Sequence, residues 1–294
     1  MTNNPRPIIF GEVLYDCFPG GEQVLGGAPF NVAWHLQAFG DAPQFVSRVG
    51  QDELGGNIIQ SMQDWGMDTG ALQQDEQHQT GRVDIELIDD EPHYTITPDC
   101  AYDFIDASEI SLPETATLLY HGSLGLRNPA ARAALQQLVT DRQLPIFMDV
   151  NLRPPWWRKD EVLNWIHQAS WVKLNHDELH QLGPASGNIA QDMAQFQQQH
   201  ELEQLIVTRG EAGALVRDNA GDMHSVTPAP LERFVDTVGA GDAFTAVFVH
   251  GLLVQWPIET TLDAAQQFAS RVVGQRGATS NDPAFYQAFI TRAG

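Results

Sequence analysis

Solid apolar runs alternate with one-sided helical stripes along most of the chain, the pattern of buried strands and packed helices. Pro7-Ile8-Ile9-Phe10-Gly11-Glu12-Val13 predicts a strand. Pro19-Gly20-Gly21 predicts a tight turn, with Gln23-Val24-Leu25 returning as a short second strand. The run from Gly26 to Ala33 opens a helix: Pro29 suits its first turn, Ala33, Leu36 and Phe39 line one face, and Gly40 stops it. Gln44–Gly50 is the next strand, followed by a helix from about Glu53 to Trp65.

Residues 81–104 break the rhythm. Arg82-Val83-Asp84-Ile85-Glu86-Leu87 alternates polar and apolar, Asp89-Asp90 turns, and His93-Tyr94-Thr95-Ile96 returns. That is a half-exposed antiparallel hairpin, suited to a small sheet with the 12–25 hairpin outside the main layer. The alternation then resumes with strands at 118–120, 146–150, 171–175 and 205–208, and a helix near 129–141. Two antiparallel edge strands flank Asn219-Ala220-Gly221, and helices from Thr260 to Arg276 and from Pro283 to Arg292 close the chain. With no repeat or flexible linker, residues 1–294 read as one α/β domain. Its expected form is a mainly parallel sheet sandwiched between helices, with a small antiparallel β appendage.

Composition narrows the partners more than the fold. The 294 residues are 43% hydrophobic and 18% charged, as in an ordinary globular protein. The formal net charge is −22, and Lys159 and Lys173 are the only lysines. Such a surface repels nucleic acid and anionic lipid; it is also compatible with a salty cytoplasm, where screening makes self-repulsion tolerable. No basic-then-apolar leader opens the chain and no apolar run is long enough for a membrane helix. Cys17 and Cys100 form neither a disulfide framework nor a metal spacing, so a reducing cytoplasm is the expected compartment.

The candidate chemistry centres on Asp236-Thr237-Val238-Gly239-Ala240-Gly241-Asp242-Ala243-Phe244. Phe244, Val247, Phe248 and Leu252 continue it as a helix buried on one face, so Gly239-Ala240-Gly241 falls at a helix N-terminus. Free N–H groups and the positive dipole end suit a phosphate there. A carboxylate in such a nest repels the ligand unless it has work there, such as taking a proton from an attacking hydroxyl; for an isolated G-x-G-D, an Asp that merely suits the helix dipole is the better reading. The chain has no G-x-x-x-x-G-K-[ST], and the Gly239 run lacks the third glycine of a dinucleotide fingerprint. In His176-Asp177-Glu178-Leu179-His180 the Glu falls one place late for a zinc protease, so these histidines read as solvated helix residues.

The nine residues from Asp236 resemble the second signature of the PfkB, or ribokinase-like, sugar kinases, and other motifs occur in that family's order along nearly the whole chain. The resemblance implies that Asp242 is the catalytic base and that Gly239, Ala240 and Gly241 form the anion hole. Gly26-Gly27-Ala28-Pro29-Phe30-Asn31 resembles the first signature, implying sugar contact at Gly26, Gly27 and Asn31, with Asp16 as a sugar-binding carboxylate. Asp149-Val150-Asn151-Leu152-Arg153 looks like D-P-N-x-R with Val150 in place of Pro, and implies that Arg153 meets phosphate or sugar. Asn175-x-x-Glu178 resembles the N-x-x-E motif tied to Mg²⁺ and phosphate, and an N-cap by Asn175 could coexist with that role. Thr208, Gly210 and Gly213 match a T-x-G-x-x-G element beside the nucleotide, and Gly277 a loop near adenine. By the same analogy the carbonyls of Asp236 and Val238 would hold a monovalent cation, K⁺.

The resemblance implies an ATP- and Mg²⁺-dependent kinase of a sugar's primary hydroxyl, fructose first, with ketodeoxygluconate kinase and ribokinase as alternatives. A non-catalytic sugar- or nucleotide-binding protein is the reading from another class; retention of Asp242 argues against it. The segments 12–25 and 81–104 would form a lid, and the protein would be a monomer or a homodimer. Ketodeoxygluconate, an acid, calls for an extra Arg in the sugar pocket, and none is identifiable by position.

Overall fold

The computed structural model describes residues 5–88, 91–229 and 234–293. Among them, thirteen strands form two sheets. The main sheet has nine, in the order β13-β12-β11-β10-β9-β8-β1-β4-β5. Its parallel strands are β1 (Arg6–Phe10), β4 (Gln44–Gly50), β5 (Leu72–Asp75), β8 (Ala116–His121), β9 (Ile146–Asp149), β10 (Trp171–Asn175) and β11 (Gln204–Thr208). Antiparallel β12 (Ala214–Arg217) and β13 (Met223–Val226) finish one edge, so β13 is the edge strand there.

Alternation along each strand feeds two cores. Ile9, Phe45, Tyr120, Phe147 and Ile206 face one side and pack with α1 (Ala28–Phe39), α2 (Glu53–Asp64), α7 (Ala240–Leu253), α8 (Ile258–Val273) and α9 (Pro283–Ala293). Ile8, Phe10, Leu119, Met148 and Val207 face the other, against α3 (Pro129–Arg142), α4 (Lys159–Ile166), α5 (His176–Leu182) and α6 (Ile189–His200). These strands are apolar on both faces because both faces are covered.

The small sheet, β3-β2-β6-β7, stands apart. It joins two antiparallel hairpins, β2 (Leu14–Cys17) with β3 (Gln23–Gly26) and β6 (Gly81–Ile88) with β7 (Glu91–Ile96), through a parallel β2–β6 pair. Leu14, Val83 and Ile85 give it a minor apolar cluster of its own. The expected turn at Asp89-Asp90 lies outside the described residues. The tail of the 81–104 segment leaves this sheet: Ala101–Phe104 is a 3₁₀ turn whose Ala101, Tyr102 and Asp103 are buried.

Candidate active site

The site is assembled at the C-terminal ends of the parallel strands, where an open α/β sheet presents its loops. Helix α7 is capped by Gly239, whose φ of 78° lies in the left-handed region, and a side chain there would run into Ala278. Three amides stand at this turn. The Ala240 N–H is already engaged, donating to the Thr237 carbonyl at 3.2 Å. Those of Gly241 and Asp242 have no acceptor among the described residues, so the expected anion hole narrows to these two N–H groups.

Asp242 sits in the first turn of α7, and its Oδ2 accepts a 2.8 Å hydrogen bond from Nδ2 of Asn31 on α1. Burial pushes its carboxyl up to about 6; the Asn31 bond opposes the rise, nearby Asp149 adds to it, and Lys173 and Arg153 oppose it. Asn31 is therefore turned toward the candidate base, with Oδ1 left buried and unpartnered among the described residues. Gly27, at φ 109°, lets α1 start against β1: a Cβ there would lie 2.7 Å from the Glu12 carbonyl.

Under the α7 turn lies a network whose members sequence reasoning did not bring together. Asp149 and Lys173 are opposite residues on β9 and β10. Lys173 Nζ donates to Asp149 Oδ1 at 2.9 Å and Oδ2 at 2.8 Å, and Thr245 Oγ1 on α7 donates to Oδ2 at 2.7 Å. All three residues are buried. A Cβ at Gly241 would sit 3.7 Å from the ammonium, which places this positive charge just beneath the free amides. The sequence did carry a signal: one of only two lysines stands in the middle of an apolar core strand.

Glu12, just past the end of β1, was also missed as a site residue. It is buried, and burial carries its carboxyl to about 7, with the Asp242 charge raising it further and Arg153 opposing. Asp16 on β2 is raised by burial and opposed by Arg153. Arg153 is exposed, and its charge is felt at Glu12, Asp16 and Asp242, so the predicted sugar-side residues do converge. Gly26 flanks Asp16, a Cβ there falling 3.7 Å from Oδ2.

Asn175 caps α5, its Oδ1 accepting the Glu178 N–H at 2.9 Å. Both Glu178 oxygens accept backbone N–H groups, of Leu152 at 2.7 Å and Asn175 at 2.8 Å. The capping reading thus holds, and it ties the Arg153 loop to α5. Thr208 lies beside Asn175 in the sheet, and the Arg209 N–H donates to the Gly213 carbonyl at 2.8 Å, closing the turn over Gly210. A Cβ at Gly277 would lie 4.0 Å from Val24 of β3, and Arg276 reaches Glu22 at 2.6 Å, so this loop touches the small sheet. The Asp236 side chain accepts from Val238 N at 3.1 Å, and Val238 is exposed. His176 and His180 have ring centres 4.2 Å apart on α5.

A groove of about 690 Å³ lies elsewhere, lined by Arg48, Asp75, His78, Phe104 and Ala130 among others. Its arginine is consumed by Asp75 at 2.8 Å and Glu109 at 3.2 Å, and neither the α7 amides nor Asp242 open into it.

A turn of free amides with a part-buried carboxylate at its edge, at the strand ends of an α/β sheet, is the kind of arrangement that phosphoryl transfer to a hydroxyl requires. Comparison with known proteins agrees: the profile of the pfkB family carbohydrate kinases matches residues 18–284. The chain belongs to the pfkB family. This pfkB carbohydrate kinase is 29% identical to a fructokinase of Salmonella typhimurium, covering 98% of this chain and 99% of that protein. It is 25% identical to a 5-dehydro-2-deoxygluconokinase of Lacticaseibacillus casei, covering 92% and 87%. The crystal structure of Vibrio cholerae O395 fructokinase bound to fructose, ADP and calcium superposes with a TM-score of 0.81 at 26% identity, covering 98% of this chain and 99% of that one. Among the described residues no helix is long and apolar enough to cross a membrane.

Proposed function

We propose that this pfkB kinase is a fructokinase, moving the γ-phosphate of ATP to a primary hydroxyl of fructose. The observation that carries the mechanism is Asp242, held by Asn31 beside the two free amides of α7. Asp242 as carboxylate takes the hydroxyl proton while the sugar oxygen bonds to the γ-phosphorus and the bond to the β,γ-bridging oxygen breaks, releasing ADP. The Gly241 and Asp242 N–H groups meet the charge on the transferring phosphoryl, and the buried Lys173 ammonium adds to the positive field from below. Arg153 stands near the three carboxyls, placed to offset their charge against phosphate.

Among the described residues no three His, Cys, Asp or Glu side chains are grouped to hold a metal. Asn175, exposed at the end of β10, and the loop anchored by Glu178 are the residues that would orient the waters of an Mg²⁺ carried mainly by phosphate oxygens. When bound, Mg²⁺ supplies charge neutralisation across the phosphates. The carbonyls of Asp236 and Val238 remain the proposed seat of K⁺, and Thr208, Gly210, Gly213 and Gly277 the proposed nucleotide wall. The small sheet is the proposed lid over a single domain. Fructose is favoured because Glu12, Asp16 and Asp242 face a single exposed arginine, Arg153, a balance that suits a neutral sugar better than an acid.

An acceptor screen with ATP and Mg²⁺ tests the assignment. Fructose should give the highest kcat/KM; an equal or better value on ribose or a keto-deoxy sugar acid overturns fructose and leaves the kinase. Failure on every acceptor with ATP still bound would favour the binding-protein reading.

A further inference from the structure

Four buried polar atoms on the sugar side lack a hydrogen-bond partner among the described residues: Glu12 Oε2, Asn31 Oδ1, the Tyr102 hydroxyl and Arg127 Nη1. They come from separate stretches that the fold joins. Tyr102 packs where Gly81 opens the small sheet: a Cβ on Gly81 would lie 2.6 Å from its ring and 2.6 Å from the Val13 carbonyl. Gly125, two residues before Arg127, abuts Glu12, a Cβ there falling 3.1 Å from Oε2. The Arg127 guanidinium lies 5.0 Å from the Tyr102 ring centre and 4.5 Å from that of Trp156. It also forks onto Asp103 at 2.8 and 2.7 Å and donates to the Thr97 carbonyl at 2.6 Å. The arginine is thus held by the buried turn, by the strand leaving the small sheet and by the loop that carries Arg153.

Buried polar atoms without partners are costly, and a cluster of them at a ligand site calls for an explanation. Of these four, Nη1 can only donate, Oδ1 and an ionised Oε2 can only accept, and the Tyr102 hydroxyl can do either. A hydroxyl both donates and accepts, so a polyol answers this set, whereas a carboxylate only accepts and would face Glu12. The Arg127 charge is already matched by Asp103. We propose that Tyr102 is a specificity-determining residue whose phenol, with Glu12, hydrogen-bonds a hydroxyl of a neutral acceptor sugar, and that Arg127 and Asp103 are positioning residues holding its ring. The proposal rests on the reading of this site as the sugar pocket.

Tyr102→Phe tests it, since the ring and its stacking survive and only the hydroxyl goes. At saturating ATP the KM for fructose should rise about tenfold, the factor of one unmatched polar group. The kcat should move less than threefold and the KM for ATP should hold. The melting temperature without ligand should stay or rise, because an orphaned group has been removed. Among mono-deoxy ketohexoses, one should be used no worse by the variant than by wild type. A purely structural Tyr102 gives a lower melting temperature and an unchanged sugar KM. A rise below threefold, with wild type active on fructose, overturns this inference alone; a wild type inactive on every sugar overturns the functional reading and this inference together.

Discussion

The two sides of the site treat buried polarity differently. Beneath the α7 turn, Asp149 takes both its Lys173 contacts and the Thr245 hydroxyl, so its oxygens are matched before any ligand arrives, and only the Tyr120 hydroxyl near it is left without a partner among the described residues. On the proposed sugar side, Glu12, Asn31, Tyr102 and Arg127 each keep a buried atom unmatched among the described residues. The difference tracks the ligands. A phosphate tail is the same whichever sugar is phosphorylated, so its cradle can be fixed in advance, which is what electrostatic preorganisation requires. An acceptor sugar must be told from its relatives, and discrimination is steepest where the wrong ligand leaves buried groups unpaired.

The largest break should come from Asp242→Asn. The side chain keeps its size at the helix start, so fold and nucleotide binding should survive, the latter equal or tighter as repulsion is relieved. Loss of the base should lower kcat by ~10²–10⁴. Turnover within tenfold of wild type would show that Asp242 is not the base.

Next in size is Lys173→Met, which leaves the Asp149 carboxylate buried without its cation. Breaking a buried pair from one side costs about 3–5 kcal/mol, readable by urea denaturation, and the double variant Asp149→Leu with Lys173→Met should recover much of it. A single-variant loss under about 1 kcal/mol would dissolve the contrast between a closed and an open side.

Glu12→Gln probes the open side, and here the sign reverses. The Glu12 carboxyl rises from 4.5 to about 7 on folding, so the native state holds its proton more tightly than the unfolded chain. Ionising it therefore lowers stability as pH climbs from about 4.5 to 7, by about 3 kcal/mol. The Gln variant should be more stable than wild type at pH ~8 and nearly equal at pH ~4 by denaturant midpoint. The Asp242 carboxyl, at about 6, should set the acid limb of kcat/KM, and because Glu12, at about 7, is still mostly protonated where Asp242 ionises, Glu12→Gln should leave that limb nearly in place. A stability difference independent of pH would mean that Glu12 is matched after all.

The smallest effect is expected in exchange kinetics. Saturating fructose should slow amide hydrogen exchange in β2, β3 and β6, the strands that would close on the sugar; unchanged exchange in all three would remove the lid role.

Most of the architecture was legible because local patterning and tertiary environment agree. The solid strands around Ile8, Phe147 and Val207 lie between two helix layers, and the alternating 82–87 segment sits in the half-exposed sheet. Strand β5 escaped notice because Leu72-Gln73-Gln74-Asp75 is short and polar; its buried Gln73 is satisfied through tertiary bonds to Asp106 and Arg48. Helix α6 is glutamine-rich with few apolar positions, which blurs its period. In the site, contiguous motifs could be read, since a helix start and its flanking glycines are local. The Lys173–Asp149–Thr245 network and the Tyr102–Arg127 stack join residues brought together only by the sheet order and by a buried turn, and no linear spacing encodes them.

One close approach reaches beyond the chemistry. Gly239 lies so tightly against Ala278 that a side chain at 239 would overlap it. Ala278 carries no functional group and would pass for filler in any inventory of variants. Yet a larger residue there whose side chain points at Gly239 would push the 277–278 segment away from the α7 turn or tilt the two amides themselves. Inherited or engineered change at this alanine should consequently behave like a lesion of the phosphate cradle, sparing the melting curve while altering turnover, and sequence drift at the two positions should be tolerated only in concert.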